Sequence, residues 1–197
     1  MKWVFPSKIS VTMQDNEFGK IIRVSELIPK NTIVASLILN DEDSGINGEI
    51  KIEIKQFKLR VCQDSNKEIL DESSDFQVIS KKYTDDSNDL VFTFITKQYL
   101  DRELHSKYIF HINLSDGGNP PLKKFTTLEI FLIDENDFIP KFNLDLYEFN
   151  LSPIKTDNFN EWIVTGKVTA YDIDLNEYQK ISYELTMINE ELCKLLI

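Results

Sequence analysis

The sequence predicts an all-β chain built as a sandwich of short strands. Three observations carry this. Apolar and polar residues alternate with a period of two, turn-forming clusters separate the alternating runs, and no long run shows helical spacing.

Composition agrees with a folded chain. Of 197 residues, 42% are hydrophobic and 28% charged, enough for one large domain or one small domain and part of another. Asp and Glu number 33 against 22 Lys and Arg, a net charge of -11. That balance argues against nucleic acid, whose phosphates are neutralised by basic residues, and against an anionic membrane surface. It points toward cations.

The strands follow in order. Ile33–Leu39 is an apolar run interrupted by Ser36, far shorter than the roughly 20 residues that span a bilayer. Ile50, Ile52 and Ile54 alternate with Lys51, Glu53 and Lys55. Tyr108, Phe110, Ile112 and Leu114 alternate with Lys107, His111, Asn113 and Ser115. Leu128, Ile130 and Leu132 alternate with Thr127, Glu129 and Phe131, and Ile181, Tyr183 and Leu185 with Ser182, Glu184 and Thr186. Each reads as a strand with one face on a core and the other toward water. Turn clusters stand at 43–48, 71–75, 85–89 and 116–121. Only 188–197, with Leu192, Leu195 and Leu196, hints at a helix.

A repeat is present. Asp41-Glu42-Asp43 ends one strand and returns as Asp172-Ile173-Asp174, at an offset of 172 − 41 = 131 residues. Each copy reads as strand, Asp-x-Asp, turn, strand. A boundary is expected near 134–140, where alternation gives way to polar turn residues.

Carboxylates recur at the strand ends, where a sandwich gathers sequence-distant loops at its two poles. Two like charges about 4 Å apart cost on the order of 4 kcal/mol at an effective dielectric of about 20, so such a cluster calls for a cation. Oxygen donors without Cys or His select a hard ion, and irregular many-ligand coordination suits Ca²⁺ better than Mg²⁺. An EF-hand beginning at Asp41 fails, because Gly45, Ile46 and Ile52 occupy its fifth, sixth and twelfth positions.

Five motifs occur in one order: Val24-Ser25-Glu26; Asp41-Glu42-Asp43-Ser44-Gly45-Ile46-Asn47-Gly48; Leu100-Asp101-Arg102-Glu103; Asp116-Gly117-Gly118-Asn119-Pro120-Pro121; and Asp134-Glu135-Asn136-Asp137. In this order, on alternating strands, the chain resembles the cadherins, and most closely protocadherin-like ectodomain repeats. The resemblance implies Greek-key β-sandwich repeats in tandem: a tail or remnant over 1–20, a repeat over 21–137, and a truncated second repeat over 138–197. It also implies a Ca²⁺ site at the linker. Glu26, Asp101 and Glu103 would supply carboxylates from the first repeat. Asp134 and Asp137 would add theirs from the linker, with the Asn136 side chain and the Glu135 backbone carbonyl. Asp172 and Asp174 would close the site. Shared ions would stiffen the joint, and their loss would leave the carboxylates in repulsion.

Three departures from the family pattern stand out. Phe138 stands where the family usually has an Asn that contributes its backbone carbonyl; Tyr178-Gln179 replaces the Asn-Gly of the second turn; and the counterpart of Asp116 that a complete second repeat would bring lies beyond Ile197. Two ion positions are therefore expected intact and the third weak. At the opposite pole, Asp41, Asp43, Asn47 and Asp116 resemble a half-site that a preceding repeat would complete. Ser152-Pro153 stands where a second base glutamate is expected.

The implied function is calcium-dependent cell–cell adhesion at the extracellular face of the plasma membrane, with other cadherin ectodomains as partners and no nucleic acid. The alternative is a calcium-stiffened spacer with no adhesive contact of its own. An enzyme is not expected: no G-x-S-x-G, P-loop, H-E-x-x-H or Cys–His signature occurs. No apolar signal segment follows Met1, so a longer parent with its own leader and membrane anchor is expected.

The remaining features read more plainly. Cys62 and Cys193 suggest no disulfide framework, and Cys62 falls in 56–83, longer than this family usually carries there. His105 and His111 lack partners at metal-ligand spacing and are expected at the surface. Trp3 is expected in a core or a tail. Asn113-Leu114-Ser115 and Asn150-Leu151-Ser152 are glycosylation sequons; Asn113 lies on the polar face of its strand, whereas Pro153 disfavours Asn150.

Overall fold

A computed structural model describes residues 1–6, 14–15, 19–60, 69–82, 89–155, 160–189 and 192–196. The chain divides into two compact units, Met1–Glu135 and Asn136–Ile197.

The first unit is a two-sheet sandwich. One sheet has the order β1-β4-β8-β7, made of Lys2–Val4, Ile33–Leu39, Leu90–Thr96 and Phe76–Lys82. The other runs β2-β3-β10-β9-β5-β6, made of Gln14–Asp15, Gly19–Ser25, Lys123–Ile133, His105–Ser115, Lys51–Arg60 and Ile69–Glu72. All its pairings are antiparallel except β3 on β10, which are parallel from Gly19↔Thr127 to Ser25↔Ile133. That pairing brings the end of β3 beside the end of β10, and so Glu26 beside the start of the linker.

The alternation in the sequence becomes the core. Leu128, Ile130, Phe110 and Ile112 are fully buried, Tyr108 nearly so, and Ile50, Ile52, Ile54 and Leu114 pack at its margin. Aromatic rings fill the centre: Phe94 and Phe76 both meet Phe110 edge-on, at 5.1 and 5.4 Å between centroids. Trp3 belongs to this packing, its ring 5.8 Å from that of Phe94, while Lys2–Val4 pairs with β4. The outward face is less polar than strict alternation suggests. Thr127 is buried, and the Phe131 ring lies under the cations of Lys107 and Arg23.

The long 56–83 segment continues β5 to Arg60 and returns as β6, which pairs with β5 from Phe57↔Glu72 to Arg60↔Ile69. Cys62 and most of the 85–89 turn lie outside the described residues.

Among the described residues, the second unit holds three antiparallel pairs: β11 (Lys141–Phe142) with β14 (Ala170–Tyr171), β12 (Asn150–Lys155) with β13 (Asn160–Thr165), and β15 (Glu184–Asn189) with β16 (Leu192–Leu196). Two expectations are corrected. The strand expected from Ile181 begins at Glu184, and the Tyr183 hydroxyl is instead engaged by the Ala170 N–H at 2.9 Å. Among the described residues, the helix hinted at in 188–197 is strand instead: Leu192–Leu196 pairs back on β15.

The repeat seen in sequence is also a repeat of local geometry. Asp41 Oδ1 accepts the Asp43 N–H at 3.0 Å, and Asp172 Oδ1 accepts that of Asp174 at 2.9 Å. A short 3-10 turn follows each, Gly45–Gly48 and Asn176–Gln179. Side-chain acceptance two residues ahead is the Asx turn that Asp favours.

Candidate metal centre

The site is assembled at one pole of the first unit by three chain segments. Glu26, just past β3, is 1% exposed, and its two oxygens accept the backbone N–H groups of Arg102 at 2.6 Å and Glu135 at 2.9 Å. Its own N–H donates to the Ile133 carbonyl at 3.2 Å. A carboxylate so buried is tolerable because amides satisfy it. Glu26 thereby ties the 101–104 turn and the end of β10 to the end of β3.

The 101–104 turn is held locally. Asp101 Oδ1 accepts the Leu104 N–H at 2.8 Å, and its carbonyl accepts the His105 N–H at 2.9 Å. This turn presents Glu103 inward, with carboxylate oxygens of Glu103 and Glu26 within 4.8 Å of each other. Arg102 lies between acids: its Nη1 is 3.1 Å from Glu103 Oε1 and 3.1 Å from Asp134 Oδ1.

Burial pushes the Glu103 carboxyl up to about 7, and the neighbouring Glu26 carboxylate pushes the same way, against the lowering pull of Arg102. Desolvated, like-charged oxygens of this kind are what a hard divalent cation relieves. The donor set is all oxygen, which fits Ca²⁺ and not a thiolate- or imidazole-seeking metal.

The structure thus brings Glu26, Glu103, Asp134 and the Glu135 backbone together within the first unit, with Asp101 exposed at the rim. Asn136, Asp137, Asp172 and Asp174 belong to the second unit. There Asp174 is fully buried, and its Oδ2 accepts the Phe138 N–H at 3.3 Å. The Phe138 ring lies near Tyr171 and under the Lys141 ammonium. The Phe138 N–H is thus engaged within the second unit.

At the opposite pole, Asp41, Asp43 and Asp116 line one hollow of about 310 Å³. Asp116 Oδ1 is engaged by the N–H groups of Gly118 at 3.0 Å and Leu122 at 2.9 Å. Asn47 is exposed on the adjoining 3-10 turn and is not among the residues lining the hollow. Gly117 lets this loop approach that turn, since a Cβ there would stand 2.1 Å from the Ile46 carbonyl oxygen.

Neither histidine is a free surface group. His111 lies between the rings of Phe57 and Phe125, and burial lowers the His105 pKa below its usual value. The role of Arg102 was not drawn from the sequence; an arginine between two acids in Asp101-Arg102-Glu103 was the available signal.

No family model matches the chain. Among curated proteins it is 28% identical over 165 residues to human protocadherin gamma-C5, covering 82% of this chain and 14% of that protein. It is 30% identical over 169 residues to rat protocadherin Fat 2, covering 85% of this chain and 3% of that one. The chain therefore spans a small part of the length of these relatives. Among solved structures, the protocadherin gammaB7 EC3-6 cis-dimer aligns with a TM-score of 0.62 at 24% identity, over 92% of this chain and 37% of that one. Protocadherin gamma C5 EC1-3 aligns at 0.60 and 19%, over 92% and 51%. Sequence similarity to protocadherins, together with the repeat fold of their ectodomains, supports a cadherin-family fragment.

Proposed function

We propose that the chain binds Ca²⁺ through Glu26, Asp101, Glu103, Asp134, Glu135, Asn136, Asp137, Asp172 and Asp174, and that it works as a calcium-dependent adhesion module. Its setting would be the extracellular face of the plasma membrane, in a longer protein, with other cadherin ectodomains as partners. The orphan group of Asp41, Asp43, Asn47 and Asp116 would bind calcium only once a further repeat adds ligands. The observation that carries the reading is the pairing of the buried Glu26 with the half-buried Glu103, whose oxygens lie within 4.8 Å. Like charges so placed and shielded from water stabilise a bound cation. Weak contacts multiply when stiffened modules are arrayed on two surfaces, which is how such a chain would hold cells together.

The test is a thermal melt and calcium titration of the 197-residue chain, compared with Glu103→Ala and Asp134→Ala. A melting temperature raised by calcium in the wild type, and raised much less in both variants, supports the reading. No shift and no binding at millimolar calcium would end it. For the adhesive half, beads coated with the chain should aggregate with calcium and disperse with chelator; beads that never aggregate favour the spacer.

A further inference from the structure

The Asn113-Leu114-Ser115 sequon lies near the end of β9, beside the pole that carries Asp41, Asp43 and Asp116, with Asn113 on the outward face of the strand. Asn113 is exposed and stands in register between two cross-strand neighbours, Glu53 on β5 and Phe125 on β10. Directly opposed side chains on a sheet face lie within contact distance. The Asn113 amide donates to Glu53 Oε2 at 3.4 Å, and on the other side the Phe125 ring is 44% exposed. Phe125 continues a row of rings, 5.7 Å from His111, which is 5.1 Å from Phe57. Beside Asn113 the surface opens into a hollow of about 590 Å³, lined by Lys51, Glu53, Asn113, Ser115, Lys123 and Phe125. The site thus offers an exposed acceptor amide, open space beside it and an exposed ring opposite it on which an attached sugar could pack.

We propose that Asn113 carries an N-linked glycan whose innermost N-acetylglucosamine packs on Phe125. The inference rests on the extracellular setting proposed above. In the transfer step, Nδ2 of Asn113 attacks C1 of the reducing-end sugar of a lipid-pyrophosphate-linked oligosaccharide. The C1–N bond forms as the C1–O bond breaks, the lipid pyrophosphate leaves, and one amide proton passes to the transferase; nothing is oxidised or reduced. Ser115 supplies the hydroxyl that the sequon requires. The one N–H left on Nδ2 can still donate to Glu53. The C–H face of the pyranose then lies against the negative face of the Phe125 ring. Asn150, whose sequon runs directly into Pro153, stays unmodified.

The chain is secreted from insect cells behind an added leader and analysed by intact mass before and after peptide-N-glycosidase in ¹⁸O water, which marks a released site as Asp. The expected result is label at Asn113 and none at Asn150, lost in Ser115→Ala and in Asn113→Gln. The glycosylated chain should melt a few degrees above the released chain, and that difference should disappear in Phe125→Ala and persist in Phe125→Tyr. Secreted chain with Asn113 unmodified overturns the proposal. So does a glycan whose effect on melting is the same in Phe125→Ala as in the wild type, which removes the packing. A calcium titration on the released chain tests the metal reading separately, so either can fail without the other.

Discussion

Arg102 Nη1 lies 3.1 Å from Asp134 Oδ1 and 3.1 Å from Glu103 Oε1, so one guanidinium nitrogen answers two acids from different segments. These side chains are only 9–15% exposed, which limits screening by water. The arginine thus supplies the positive charge at the place where a bound cation would act.

Arg102 and calcium should therefore compete. In chelator, Arg102→Gln should melt below the wild type, because the acids lose their partner. With calcium, the same variant should gain more in melting temperature than the wild type does. Parallel melts with and without calcium check this, and an equal gain in both proteins would show that Arg102 does not oppose the ion.

Glu26 should matter without any metal. Glu26→Ala leaves two half-buried amide donors unanswered and should cost about 2–4 kcal/mol, whereas Glu26→Gln, which retains an acceptor, should cost less. Denaturant unfolding in chelator measures both. Equal stability of the three proteins would mean that the amides find water.

The pH dependence follows from Glu103, whose carboxyl is raised from 4.5 to about 7. A raised folded-state pKa stabilises the fold while the group is protonated. That contribution is complete below about 4.5 and is lost as pH rises to about 7 and beyond. In chelator, the melting temperature of the wild type minus that of Glu103→Gln should fall across this window; taking the difference removes the opposing effect of His105. Calcium requires the carboxylate, so its affinity should weaken as pH falls below about 7. A difference flat with pH would contradict both statements.

The core makes a simpler prediction. Phe110 is fully buried between Phe76 and Phe94, so Phe110→Ala should cost about 3–5 kcal/mol. Equilibrium unfolding reads the loss, and a cost under about 1 kcal/mol would mean that the neighbouring rings close the gap.

The strands of the first unit were legible because one-sided burial writes a period of two into the sequence. Tyr108, Phe110 and Ile112 show it most directly, and all three are buried. At the C-terminal end the same reasoning misplaced a strand start and suggested a helix. Leu192, Leu195 and Leu196 satisfy a helical spacing and a short strand alike, and pairing with β15 decided between them.

The Asp-x-Asp repeat, the order of the acidic motifs and the all-oxygen character of the site were properties of the sequence alone. They depend on residue type and spacing, which the chain states directly. Only the tertiary structure made Glu26 a buried hub, set Arg102 between Glu103 and Asp134, and put Phe125 opposite Asn113. These relationships join residues 12 to 109 positions apart, apart from the Arg102–Glu103 pair. They exist because β3 runs parallel to β10 and β9 turns back beside it. Strand pairing at long range is a choice of register among many, and burial of the whole core makes that choice.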